Sequence, residues 1–267
     1  MRILFLGDVV GSSGCAKLTK DLPSQKKLRN IDFVIVNGEN ADESGVGLTK
    51  KICEKFFSSG VDVITTGNHV WDQKEIMNFI ENEKRLLRPK NFFEPSLGRG
   101  FEIFTTSNNS KIGVLNLMGN VFMKKSNDVF EIANQFLNKF KLKEDFDFLV
   151  VDFHGEITSE KNAIGHFFDG KASLVVGTHT HIPTNDARIL QNGTAYQTDA
   201  GMCGDYDSVI GMNKNNSLNR FMKKDSVKHF PANGDSTLCG VIVECNTETG
   251  LANKVESYIF GGQLKNS

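Results

Sequence analysis

Two histidines one residue apart, His179 and His181, close the stretch Gly177-Thr178-His179-Thr180-His181. They follow Ser173-Leu174-Val175-Val176, an apolar run that reads as a buried strand. In an extended segment, residues i and i+2 point to the same side, so both imidazoles can be aimed into one crevice. Imidazole is the commonest metal ligand among side chains. A His-x-His pair alone fits a polar loop as well as a metal site. Four further apolar runs tip that balance, because each also ends in ligand-type residues: Asp8, Glu39-Asn40, Asn68-His69 and His154.

Brought into one cleft, these residues supply two carboxylates, several imidazoles and two amides. Paired carboxylates repel and resist burial. Divalent cations resolve that conflict, holding the acids ionised and the imidazoles neutral. Seven ligands exceed what one tetrahedral zinc accepts. They suit two five- or six-coordinate ions sharing a bridging carboxylate, the arrangement that clamps attacking and leaving oxygens in phosphoryl transfer.

The elements that must position these residues alternate between strand and helix. Strands are predicted at Met1–Leu6, Phe33–Val36, Val61–Ile64, Phe146–Asp152 and the His179/His181 run. Gly11-Ser12-Ser13-Gly14 lacks the lysine of a P-loop and reads as a turn. Helices are predicted from Thr49, as N-cap, to about Ser59, from Asp72 to about Lys84, over Val129–Phe140 and over Thr158–Phe168. Phe101–Phe104 with Lys111–Leu117, and Ala187–Leu190 with Thr194–Gln197, read as hairpins, the second around Asn192-Gly193. Alternation predicts a largely parallel sheet with right-handed crossovers, whose strand-end loops converge. Residues 201–235 are rich in Gly, Lys and Asn with little periodicity, a loop-rich excursion able to act as a lid. Leu238–Cys245 and Lys254–Phe260 read as closing strands, and the whole chain 1–267 as one domain.

Composition sets the outer bounds. Lys and Arg number 31 against 32 Asp and Glu, so no basic excess favours avid non-specific nucleic-acid binding. No apolar run approaches the ~18–20 residues of a membrane span, and no leader pattern is evident. Five scattered cysteines without a CxxC pair point to reduced thiols and a cytoplasmic location. Arg88 and Lys90 read as a solvated patch, His166 as a core residue and His229 as exposed.

The chain resembles the calcineurin-like metallophosphoesterases, and within them the branch of bacterial 2',3'-cyclic-nucleotide phosphodiesterases of the YmdB type. The resemblance is carried by Gly7-Asp8-Val9-Val10-Gly11, Asn37-Gly38-Glu39-Asn40, Thr66-Gly67-Asn68-His69-Val70-Trp71-Asp72 and Asp152-Phe153-His154. Thr158-Ser159-Glu160-Lys161, Gly177-Thr178-His179-Thr180-His181 and Asp199-Ala200-Gly201-Met202-Cys203-Gly204 extend it over nearly the full length. Val10 stands where the superfamily usually has histidine, and Gly38-Glu39-Asn40 replaces its Gly-Asp, as in this branch. The resemblance implies a two-sheet α/β sandwich flanked by helices, with the site at the strand carboxyl ends. It implies one ion on Asp8, Glu39, Asn40 and His181, and another on Glu39, Asn68, His154 and His179, with Glu39 bridging. Iron or manganese, or else magnesium, suits such oxygen and imidazole donors.

The resulting expectation is a hydrolase that opens phosphodiesters, foremost 2',3'-cyclic nucleotides, by attack of a metal-bridging hydroxide. His69 is left for chemistry at the leaving oxygen, with Asp72 either orienting it or, as the favoured reading, capping the next helix. The rivals are a phosphomonoesterase or protein phosphatase on the same metals, and a regulatory RNA-associated module using a patch near Arg88, Lys90, Lys223 and Lys224. RNA as substrate or partner and assembly as a homo-oligomer stay open.

Overall fold

A computed structural model describes residues 1–224 and 228–264. Its strands in chain order are β1 (Arg2–Leu6), β2 (Asp8–Val9), β3 (Phe33–Asn37), β4 (Val63–Thr65), β5 (Phe101–Thr105), β6 (Lys111–Met118) and β7 (Phe148–His154). They continue with β8 (Leu174–Thr178), β9 (Arg188–Ile189), β10 (Ala195–Gln197), β11 (Met202–Asp205), β12 (Ser236–Cys245) and β13 (Ala252–Phe260). The helices are α1 (Gly11–Leu28), α2 (Lys50–Ser58), α3 (Val129–Lys139), α4 (Thr158–Phe167) and α5 (Lys214–Phe221).

Two mixed sheets result, one of order β2-β11-β12-β1-β3-β4 with β13 on β12, the other β5-β6-β7-β8-β10-β9. The expected parallel pairing holds for β1-β3-β4 and for β6-β7-β8-β10. Antiparallel β12 closes the first sheet against β1.

The apolar strands are buried on both faces, and their alternation assigns each face a partner. Ile3, Phe5, Phe33, Ile35 and Val63 meet Ile112, Val114, Phe148, Val150 and Leu174 between the sheets. The alternate residues Leu4, Leu6, Val34 and Val36 pack on Leu18 and Leu22 of α1 and Phe56 of α2. Leu115, Leu117, Leu149 and Val151 pack on Ala133 and Phe136 of α3 and Ile164 of α4. The layers are therefore helix, sheet, sheet, helix, and both stacks present strand carboxyl ends to one edge.

Several sequence expectations need correction. Gly11–Gly14 is not a turn but the start of the 18-residue α1, which also contains Pro23. Local propensity argues against that helix, but burial of Leu18 and Leu22 outweighs it. Gly14 is needed there because a Cβ would stand 2.2 Å from the Cys203 carbonyl oxygen. The helix predicted from Asp72 to Lys84 is only a 3₁₀ turn, Lys74–Asn78. Ile76 and Ile80 are buried as their spacing suggests, but Gln73 Nε2 is drawn to Asp42, Ser44 and the Val46 carbonyl. Thr49 holds the N-cap position of α2 without a side-chain cap bond.

Residues 202–205 of the expected excursion are a buried strand of the first sheet, paired with β2 and β12. The departure from the sheet begins after Asp205. Arg88 is 4% exposed, its guanidinium bonded to Glu94 and to the Pro89, Ser96 and Leu97 carbonyls, so it forms no solvated patch. His166 is exposed on the outer face of α4, and His229 is half-buried against Ser217. All five cysteines are unpaired thiols. Among the described residues no helix is long and apolar enough to cross a membrane.

Candidate metal centre

The centre of the site is the Nε2 atom of His154, at the end of β7. Three lone-pair acceptors converge on it: Glu39 Oε1 at 2.9 Å, Asn68 Oδ1 at 3.0 Å and His179 Nδ1 at 3.0 Å. Glu39, His154 and His179 form a compact ligand cluster, with one donor atom of each within 4.8 Å of the others. His154 and Asp8 are fully buried and Glu39 is 1% exposed.

The far side of each group is tied to the protein. His154 Nδ1 lies 2.9 Å from Thr178 Oγ1, and Thr178 gives its own hydroxyl proton to Asp152 Oδ1 at 2.7 Å. Thr178 therefore accepts from Nδ1–H, which turns Nε2 into the cleft. Asp152 Oδ2 takes further bonds from Asn37 Nδ2 and Thr65 Oγ1. Glu39 Oε2 accepts the His69 amide at 2.9 Å. Asp8 Oδ2 accepts the His179 amide at 3.1 Å, while its Oδ1 is buried without a hydrogen-bond partner. Asn40 donates through Nδ2 to the Gly45 carbonyl at 3.0 Å, and its Oδ1 is likewise buried and unpartnered. His181 Nδ1 faces the Ile210 carbonyl at 2.8 Å, and its Nε2 lies 3.9 Å from Asp8 Oδ1.

This arrangement fits metal ions. Buried unpartnered oxygens carry a desolvation penalty that a cation removes. Asp8 Oδ1, Asn40 Oδ1 and His181 Nε2 would serve one ion. Glu39, Asn68, His154 and His179 would serve another, with no thiolate in either set.

The electrostatics have the same sense. Burial opposes charge on Glu39, but His154 and the His69 amide outweigh it and hold the carboxyl at about 2. Burial also works against a proton on His154, yet Glu39, Asp8 and Asp152 raise that imidazole to about 9. Burial and the His154 charge push His179 down to about 3. Burial raises Asp8, and raises Asp152 to about 7. Without metal, a proton on His154 thus stands where a cation's charge would. Loading at pH 7 must displace that proton, so affinity is expected to rise with pH up to about 9. Calorimetry in buffers of different ionisation enthalpy should show about one proton released per chain from this group. Loading at pH 7 without proton release would contradict it.

His69 stands beside the cluster, with Nδ1 2.6 Å from Asp72 Oδ2. Asp72 therefore orients His69 and does not cap a helix, reversing the favoured sequence reading. Both side chains are about one-third exposed, so the pair lies at the cleft mouth.

All eight sequence-predicted residues lie at the site, but the His-x-His pair arrives there differently than expected. Strand β8 ends at Thr178, and His179 and His181 have φ of 98° and 66°. They diverge, one to His154 and one toward Asp8, because left-handed backbone replaces strand alternation. Gly67 has no room for a side chain: its Cβ would stand 2.3 Å from His154 Cδ2 and 2.5 Å from Glu39 Oε2. Gly67→Ala is expected to displace both ligands, abolish metal loading and destabilise the fold by about 1–3 kcal/mol, read by metal analysis and thermal melting.

Sequence reasoning missed four residues here. Asp152 had a signal, since it precedes His154 by two in a strand and shares its face. Thr178, Lys124 and Ile210 had none. Lys124 donates through Nζ to the Asn68 carbonyl and lies 3.7 Å from Asp72 Oδ1. Ile210 reaches His181 only because the segment after β11 folds back.

Paired sheets between helices, with histidines, amides and carboxylates gathered at one strand edge, define a metallophosphoesterase sandwich. The chain belongs to the YmdB-like protein family, whose profile matches residues 4–258. It is 44% identical over 260 residues to the 2',3'-cyclic-nucleotide 2'-phosphodiesterase of Bacillus subtilis (strain 168), covering 97% of each chain. A crystal structure of a phosphatase from Mycoplasma pneumoniae superposes with a TM-score of 0.90 at 36% identity, covering 98% of this chain and 93% of that one. A hypothetical protein from Thermus thermophilus superposes with a TM-score of 0.91 at 35% identity, over 98% and 100% of the two chains.

Proposed function

We propose that this chain is a dimetal phosphodiesterase acting on 2',3'-cyclic nucleotides. The observation that carries the proposal is the convergence of Glu39, Asn68 and His179 on His154 Nε2 beside the unpartnered oxygens of Asp8 and Asn40. The full-length likeness to a cyclic-nucleotide phosphodiesterase supports the substrate class. Iron or manganese, or else magnesium, suits oxygen and imidazole donors.

Bound ions would supply Lewis-acid stabilisation of charge on the phosphoryl oxygens. The protein's own part is orientation and proton handling. Asp152 and Thr178 hold His154, and Asp8 holds the His179 backbone, so the donors are set before substrate arrives. As a water oxygen bonds to phosphorus and releases a proton to solvent, from which His69 is later reprotonated, the bond to one ribose oxygen breaks. His69, steadied through Nδ1 by Asp72, would give that oxygen a proton from Nε2. The product is a nucleoside monophosphate. Five unpaired thiols support a reducing compartment, which we take to be the cytoplasm.

Purified protein with 2',3'-cyclic AMP, 3'-AMP and a phosphopeptide as separate substrates tests the assignment. Preferred turnover of the cyclic diester is expected. Preference for either monoester would move the protein to the phosphatase reading that the Mycoplasma pneumoniae relative suggests.

A further inference from the structure

Helix α4 opens with Thr158-Ser159-Glu160-Lys161, a stretch with no part in the chemistry above. Its two charged side chains both face inward, Glu160 at 8% exposure and Lys161 at 2%. Adjacent helical residues diverge by about 100°, so the two reach different neighbours.

Lys161 Nζ donates to Asp199 Oδ2 at 2.6 Å. Asp199 Oδ2 also accepts the Thr180 amide at 3.1 Å and the Thr180 hydroxyl at 2.7 Å, and its Oδ1 accepts the Gly201 amide at 2.8 Å. Thr180 is the residue between His179 and His181, both in left-handed backbone. Such backbone is unfavourable for side-chain-bearing residues and persists only where surrounding contacts over-determine it. The Lys161–Asp199 pair supplies those contacts from inside the fold.

Glu160 works on the opposite wall. Its Oε1 accepts the Asn120 amide at 2.9 Å and its Oε2 the Val121 amide at 3.4 Å. Asn120 closes the loop onto Ser126, the Asn127 carbonyl and the Val129 amide. That loop carries Lys124, which touches the Asn68 carbonyl and faces Asp72, the partner of His69.

We propose that Glu160 and Lys161 are positioning residues that set the two halves of the site independently. Lys161, through Asp199, fixes the His179–His181 turn for metal binding. Glu160, through residues 119–127, fixes the His69–Asp72 pair for turnover. Neither touches the reacting atoms. The Glu160 half rests on the phosphodiesterase reading; the Lys161 half rests only on metal binding.

Full-length Lys161→Met and Glu160→Gln are compared with wild type in three measurements. These are Mn²⁺ affinity by competition with a chelator, kinetics on 2',3'-cyclic AMP at saturating Mn²⁺, and amide exchange at Thr180, Asn120 and Val121. Lys161→Met is expected to weaken Mn²⁺ binding by about 10–100-fold and to speed exchange at Thr180 but not Asn120. At saturating Mn²⁺ its kcat returns to the wild-type value. Glu160→Gln has one oxygen for the two loop amides and is expected to weaken Mn²⁺ binding far less than Lys161→Met does, to lower kcat several-fold at saturating Mn²⁺ and to speed exchange at Asn120 or Val121 but not Thr180. Asp199→Asn, which keeps Lys161 and the carboxylate's shape, should reproduce the affinity loss and serves where Lys161→Met does not fold. Parallel changes of affinity and kcat in both variants would overturn the proposal, marking a general structural role; so would no change in either. If wild type hydrolyses no cyclic nucleotide, the functional reading fails, while the affinity and exchange measurements still decide the Lys161 half. If it also binds no Mn²⁺, exchange at these amides decides whether the walls are set separately.

Discussion

Glu39→Ala is expected to lose metal binding and hydrolysis together. Glu39 is the acceptor nearest His154 Nε2, at 2.9 Å, and its second oxygen holds the His69 amide at 2.9 Å. One carboxylate thus links the candidate ligand cluster to His69. Breaking a buried charge pair from one side costs about 3–5 kcal/mol of fold stability, and losing this carboxylate also removes the charge that would offset a cation. Glu39→Gln keeps the acceptor for the His69 amide but removes the charge. It is expected to lose metal as well, which separates charge from shape. Metal titration followed by dialysis checks both variants. A fully loaded Glu39→Ala would show that the carboxylate is no ligand.

His69→Ala has the other large effect and the opposite signature. His69 contributes no atom to the cluster around His154, and its Nδ1 is engaged with Asp72 at 2.6 Å. Metal content should therefore be unchanged while turnover of 2',3'-cyclic AMP falls by about 10²–10⁴-fold. The loss should shrink for a diester whose leaving group is a nitrophenolate, because that oxygen departs without a proton. Asp72→Asn should share the trend in weaker form, since it disturbs the orientation and not the donor. Full turnover by His69→Ala on the alkoxide-leaving substrate would remove it from the mechanism.

How far the site was legible follows from where each signal resides. Asp8, Glu39, Asn68 and His154 follow apolar runs, so strand-end position exposed them. Their convergence follows from sheets that bury both faces and carry loops at one edge. Other features depended on distant contacts. The route of His179 and His181 is set by Asp199 and Asp8, far away in sequence, and the His-x-His spacing carries no sign of left-handed backbone. Helix α1 was hidden by Gly11, Gly14 and Pro23, whose cost is met by packing on the first sheet. Arg88 looked like a surface cation although its partners are near in sequence, because no residue pattern shows that the loop through Leu97 folds back to put five acceptors around its guanidinium. Asp72 looked like a helix cap because Ile76 and Ile80 have helical spacing, although only one 3₁₀ turn forms.

Metal counting coupled to activity is the most direct trial of the whole account. Protein purified with added manganese should hold two ions per chain and hydrolyse 2',3'-cyclic AMP. Exhaustive chelation should abolish that hydrolysis, and restoring the metal should return it. Hydrolysis at the full rate by protein verified to be free of metal would contradict the assignment of these residues as a dimetal site.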